Sequence, residues 1–223
     1  MKKVIYIFIF VLIIAACSDK HRKESAIVNL DFKPYINSVE LQVIDSDYEL
    51  IKFESFSECK AMLFQLNSDS EIYAGIFINN KLYSIGPVSM TSTPEELLSI
   101  SETDVFGKKL ITFSGILGAN YARTLYVEVK EDSVSPIVSI DGNIIEIDLD
   151  HDNSKEIVST IGTIPETCIY KLIDDQIYIA NVNESLDAQA ISFNQKNNKF
   201  EVYSKPNEPQ FYIFSNGGLK VDE

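Results

Sequence analysis

The chain has 223 residues, with 33 acidic and 19 basic side chains and a formal charge of −14 at pH 7. Such a balance repels phosphate backbones and argues against nucleic acid as a partner of the folded body. Two histidines and three cysteines, without a CxxC spacing, leave little from which to build a Ser-His-Asp triad or a Cys/His zinc site.

At the start, Met1-Lys2-Lys3 precede an apolar run from Val4 to Ala16 that closes as Ile14-Ala15-Ala16-Cys17. A basic opening, a short apolar stretch and small residues at its end are the parts of a secretory signal. Polar Ser18-Asp19-Lys20 stops the run well short of the about 20 apolar residues a spanning helix needs. An ordinary secretory peptide cut after Ala16, or an uncleaved short anchor, is the alternative. A cysteine directly after Ala15-Ala16 is similar to the signal of bacterial lipoproteins. That resemblance implies removal of residues 1–16, a diacylglycerol on the Cys17 thiol, and fatty acylation, palmitate for instance, of the new amino group. It also implies anchoring in the lipid bilayer at the extracytoplasmic face of the cell membrane.

Cleavage takes two lysines and no acids, so the balance moves from −14 to −16 on the remaining 207 residues. Residues 17–26 form a polar tether whose Lys20-His21-Arg22-Lys23 either favours anionic headgroups or is simply solvated. Residues 27–223 are expected to form one β-rich domain.

Short apolar segments broken by Asn, Asp, Gly and Pro fill that domain, as in antiparallel β structure. Ser38–Ile44 alternates, and Asp45-Ser46-Asp47 turns the chain into Tyr48–Phe53. A second helix is possible at Glu54–Met62. Ile72–Ile78 and Leu82–Ile85 flank Asn79-Asn80-Lys81, a hairpin signal. Thr93-Pro94-Glu95-Glu96 followed by Leu97-Leu98 predicts a short helix over 94–100, with Thr93 as its cap. Further hairpins are predicted at Ile169–Ile173 with Gln176–Ala180, at Ala190–Asn194 with Lys199–Tyr203, and at Gln210–Phe214 with Leu219–Val221. Recurring hairpins suit a small or irregular propeller-like sheet, with a β-sandwich as the alternative.

One segment carries a chemical pattern. Asp148-Leu149-Asp150-His151-Asp152-Asn153-Ser154-Lys155-Glu156 sets carboxylates at positions 1, 3, 5 and 9 of a loop. Calcium takes six to eight hard oxygen ligands, and alternate positions of a tightly curled loop converge on one centre. Ser154 offers its carbonyl, and Asn153 stands where left-handed backbone is needed. Ile144–Ile147 and Ile157–Ile161 flank the loop as strands, and Ser159 sits where an EF-hand needs glutamate. The segment resembles the strand-loop-strand calcium motif of FG-GAP and VCBS-type repeats. That resemblance implies side-chain ligands from Asp148, Asp150, Asp152 and Glu156, a backbone ligand from Ser154, and a structural calcium ion. It departs from the family pattern in having Asn153 for glycine and a single copy. An acidic turn without metal is the alternative. Gly162–Thr167, Ala180–Glu184 and Phe200–Tyr203 are also faintly similar to uncharacterised lipoproteins of Bacillus-like bacteria, which implies no activity.

Other features read as architecture. Ser114-Gly115-Ile116-Leu117-Gly118-Ala119-Asn120-Tyr121 lacks a phosphate-loop lysine and is expected to be a tight turn or a close backbone approach. Cys59 and Cys168 either pair or stand as separate buried thiols. The eleven tyrosines are expected to pack on sheets. No catalytic residue stands out. Two functional expectations follow: a non-enzymatic surface lipoprotein presenting an acidic, calcium-stabilised β domain to a protein or glycan, or a carboxylate-dependent hydrolase of cell-wall or exogenous polymer.

Overall fold

The computed structural model describes residues 26–36, 39–67, 69–119, 121–205 and 207–222. The signal segment, Cys17 and the tether up to residue 25 lie outside the described residues. No helix of the described residues is long and apolar enough to cross a membrane.

The architecture is mainly β, in antiparallel sheets. Three short strands come first: β1 (Val28–Asn29), β2 (Lys33–Pro34) and β3 (Gln42–Ile44). Four meanders follow. Sheet 1 comprises β4 (Tyr48–Ser55), β5 (Lys60–Leu66), β6 (Glu71–Ile78) and β7 (Lys81–Met90), with β3 on the outer edge of β7. Sheet 2 is β8 (Ser99–Val105), β9 (Lys108–Gly118), β10 (Tyr121–Lys130) and β11 (Ser133–Asp141). Sheet 3 holds β12 (Asn143–Ile147), β13 (Glu156–Ile161), β14 (Glu166–Ile173) and β15 (Gln176–Asn181), extended by β2 on β15. After the turn-and-a-half helix α1 (Val182–Leu186), sheet 4 adds β16 (Ala190–Asn194), β17 (Lys199–Tyr203), β18 (Gln210–Ser215) and β19 (Gly218–Val221), with β1 on β19.

The hairpin turns follow from their residues. Asn79 and Asn80 have φ of 52° and 57°, and Asp174 and Asp175 have 49° and 62°, the left-handed pairs a two-residue hairpin loop needs. Asn216 and Gly217, at 50° and 77°, do the same between β18 and β19. The predicted hairpins therefore form, and the 190–194 and 199–203 strands have the expected bounds.

Both predicted helices are corrected. Over 94–100 there is only a 3-10 turn, Glu95–Leu97, and Ser99 already begins β8. Leu98 and Ile100 are needed in the core between sheets 1 and 2, and strand spacing delivers both to it. The Thr93 hydroxyl does not cap; it donates instead to the Ile116 carbonyl. Glu54–Met62 is the end of β4, a turn closed by Phe56 N–H on the Cys59 carbonyl, and the start of β5. The run Ala61–Phe64 is buried on both faces, which erases the alternation that marks a strand. Among the described residues an α-helix forms instead at Val182–Leu186, capped by Asn181, whose side chain accepts from the Glu184 N–H.

The cores lie between successive sheets. Leu63, Ile76 and Val88 of sheet 1 meet Phe113, Leu125 and Val127 of sheet 2. Tyr126, Val138 and Ile140 of sheet 2 meet Ile157, Tyr170 and Ile177 of sheet 3. Val158, Ile169 and Ala180 of sheet 3 meet Ile191, Phe200 and Leu219 of sheet 4. Cys59 and Cys168 belong to two different cores and are free. Burial pushes their thiols up to about 11 and about 12, away from reactive thiolate.

Sheet 1 is coiled. Only Asp45, Ser46 and Asp47 join its two edge strands, β3 and β4. Such a link spans about 14 Å at most, less than the roughly 19 Å across five flat strands. Bulges at Leu50/Lys52, Ile72/Tyr73 and Ala74/Gly75 supply the bend. Coiling explains how Met62, Phe64 and Leu82 are buried on the face turned away from sheet 2, with Tyr48 edge-on and Tyr73 stacked against Phe64.

Sheets 1 and 2 approach closely at Gly115. A Cβ there would lie 2.6 Å from Ser89 Cβ and 2.8 Å from the Val88 carbonyl oxygen. The close backbone approach expected within 114–121 thus falls at Gly115, within β9. Gly115→Ala is expected to lower stability by about 1–3 kcal/mol, the cost of overpacking, measured by urea denaturation.

Candidate metal centre

The acidic loop is the tip of the β12–β13 hairpin, in which Ile147 pairs with Glu156. Leu149 points inward at 7% exposure and anchors the loop to the core under sheet 4. Outside, the loop is tied to sheet 2 by the Phe106 N–H on the Lys155 carbonyl, at 2.9 Å.

Its shape is set by carboxylates accepting from the loop's own backbone. Asp148 accepts from the N–H groups of Asp152 and Asn153, both at 3.1 Å. Asp150 accepts from Asp152 N–H at 3.3 Å, and Asp152 from Ser154 N–H at 2.7 Å. Two left-handed residues make the curl, Asn153 at φ 69° and His151 at φ 63°. Asparagine at 153 tolerates this conformation better than most side chains, in keeping with the role expected of it. The second such residue, His151, was not anticipated.

Carboxylate oxygens of Asp148, Asp150 and Glu156 converge, all within 4.8 Å of one another. Asp152 stays outside this group, with one oxygen engaged by Ser154 N–H. Glu156 is only 2% exposed, yet one of its oxygens accepts a single hydrogen bond, from Leu149 N–H at 2.8 Å. Burial pushes the Glu156 carboxyl up to about 7; the Leu149 N–H works against that rise and the Asp150 charge adds to it. Three convergent carboxylates, one of them buried, match the donor chemistry of a hard divalent cation.

Lys171 of β14 also enters the cluster. Its ammonium hydrogen-bonds Asp150 and lies 3.9 Å from Glu156. Burial alone would depress the lysine, but the Asp150 hydrogen bond and the Asp150 and Glu156 charges outweigh it and raise the pKa. Lys171 is the one member that sequence reasoning missed. It stands 21 residues from Asp150, and only strand pairing brings it there.

Beside the loop lies a groove of about 190 Å³, lined by Asp148, His151, Asn197, Asn198 and Phe214 among others. A larger cleft, about 360 Å³, sits elsewhere, between the β4–β5 turn and sheet 2. Its lysines are ion-paired: Lys109 with Glu102 at 2.8 Å, and Lys130 and Lys108 with Glu128 at 2.6 and 3.8 Å. Neither cavity presents the buried Glu156 to a substrate.

Comparison with protein-family models, with curated proteins and with solved structures finds no match for this chain.

Because Lys171 is the internal cation of the cluster, Lys171→Met is expected to destabilise the fold by about 1–3 kcal/mol in chelator, the cost of leaving charged groups unpaired. Urea denaturation in EDTA measures this.

Proposed function

We propose that the chain is a lipid-anchored extracytoplasmic protein whose acidic β domain is stabilised by calcium and serves to bind a partner rather than to catalyse. The convergence of Asp148, Asp150 and Glu156 within 4.8 Å is the observation that carries the calcium part. In this reading Asp152 and the Ser154 carbonyl join them when the ion binds, and Lys171 swings from Asp150. The anchoring part is supported by the basic opening, the apolar run and Ile14-Ala15-Ala16-Cys17. The four meanders stacked one after another support an open, irregular propeller-like arrangement over a two-sheet sandwich.

The hydrolase alternative asks for a carboxyl that keeps its proton near neutral pH in an open cleft. Glu156 has the proton affinity, but at 2% exposure it suits a structural ligand better. The groove beside the loop, with two asparagine amides, a histidine and an aromatic ring, fits a small polar ligand such as a glycan unit.

Extracellular calcium modules bind at about 10⁻⁴–10⁻³ M. At 10 mM ion, mass action then adds about 1.4–2.7 kcal/mol, or a rise in melting temperature of several degrees. The full chain is therefore expected to melt higher in 10 mM calcium than in EDTA. Glu156→Gln is expected to melt no lower than wild type in EDTA, since an ionisable buried group is gone, and to lose the calcium response. Equal wild-type melting temperatures in the two buffers would remove the calcium reading. For the anchor, wild-type protein is expected in the detergent phase of a cloud-point separation and Cys17→Ser in the aqueous phase; wild type in water would refute lipidation.

A further inference from the structure

We propose that the free edge of β4 is an interface with a second copy of this chain, the two β4 strands pairing antiparallel across a two-fold axis. β4 is the outermost strand of sheet 1, hydrogen-bonded to β5 alone among the described residues. An eight-residue strand whose outer side pairs with no other strand among the described residues is a template for another strand. Tyr48, Leu50 and Phe53, on the face shared with Met62, Phe64 and Phe77, remain 40%, 49% and 54% exposed. They line an open groove of about 250 Å³. The outer face of sheet 4, at the other end of the stack, intersperses its apolar Phe211 and Ile213 with Ser192, Asn194, Lys199, Glu201 and Lys220.

The charges along β4 select the occupant. Setting Tyr48 opposite Phe53 of the second copy puts Glu49 opposite its Lys52, and the two-fold axis repeats both pairs. Sliding the register by two residues one way would set Glu49 against Glu54, and like charges facing each other oppose it; sliding it the other way would leave Glu49 facing apolar Leu50 and Lys52 facing Asp47, which precedes the strand. The chosen register leaves Asp47 and Glu54 facing only at the ends, where water and salt screen them. Its axis falls between Leu50 and Ile51, and Ile51 is the residue the bulge leaves unpaired in its own sheet. Lys52 already donates to the Leu98 carbonyl at 2.9 Å; an ammonium has two further donors for the second copy's Glu49. An anionic lipid surface is a poor competitor for this edge, because the chain carries −14.

The test is an intermolecular crosslink in membranes of cells expressing the full chain. Near the axis, two copies of residue 50 would lie about 6 Å apart, within disulfide reach. Leu50→Cys is expected to give a disulfide-linked homodimer under copper-phenanthroline, and Lys220→Cys, on the outer face of sheet 4, to give none. Adding Glu49→Lys should cut the Leu50→Cys yield at least tenfold, and the double swap Glu49→Lys/Lys52→Glu should restore it. A Leu50→Cys dimer that ignores the charge variants, an equal yield from Lys220→Cys, adducts only with other proteins, or no dimer would each overturn the proposal. Restoration by the double swap cannot come from misfolding or from an unrelated partner.

Discussion

The two middle meanders are apolar on both faces, and the structure depends on covering both. A four-stranded antiparallel sheet with apolar side chains on one face is ordinarily satisfied by a single partner. The middle sheets carry apolar residues on both: Tyr126 and Val138 of sheet 2 face sheet 3 while Phe113 and Val127 face sheet 1. Face-to-face stacking in sequence order is the arrangement that buries all of them with short connections. Seen this way, the N-terminal segment has a structural task. It pairs β1 with sheet 4, β2 with sheet 3, and sends the Tyr35 hydroxyl to the Ser139 carbonyl of sheet 2 at 2.8 Å. One stretch of eleven described residues thus staples three sheets that the meanders alone would join only through their cores.

Polar groups bridge the sheets where the apolar layers end. Glu146 of β12 accepts from the buried Tyr126 hydroxyl of β10 at 3.0 Å and from the Thr103 hydroxyl of β8. Arg123 of β10, held by Asp141 of the neighbouring β11, reaches across to the Pro87 carbonyl of β7 in sheet 1 at 3.5 Å. No buried side-chain polar atom among the described residues lacks a partner. Satisfied networks of this kind fix the relative setting of sheets, which apolar contact alone leaves free to slide.

Much of this was legible in the chain. Two-residue turns of asparagine or aspartate announce their hairpins, because few other side chains accept a left-handed pair. The loop's flanking strands showed the same clarity. What failed were segments where burial overrides local preference. Thr93-Pro94-Glu95-Glu96 has the chemistry of a helix start, but Leu98 and Ile100 are worth more as alternating core residues than as one helical turn. Ala61–Phe64 is apolar on successive positions and so carries no period at all. Short-range signals likewise pointed to Asp148, Asp150 and Glu156, yet not to Lys171, whose arrival is a property of register between β13 and β14. Nor did they show Asp152 standing outside that group, with one oxygen on Ser154 N–H.

Lys171 changes the electrostatic argument for the loop. Crowded carboxylates repel one another unless a cation is present, and taken alone that crowding points to metal. Here one ammonium already sits against Asp150 and near Glu156, and the buried carboxyl has gained proton affinity as well. Two devices therefore hold the loop together without an ion. A divalent cation entering the same space must displace both the ammonium and any proton on Glu156, so part of its binding energy is consumed in the exchange. If an ion binds there, tight and permanent occupancy is the wrong expectation. Under the proposed calcium reading, weak and reversible occupancy is the regime in which an internal lysine and an entering ion compete on comparable terms.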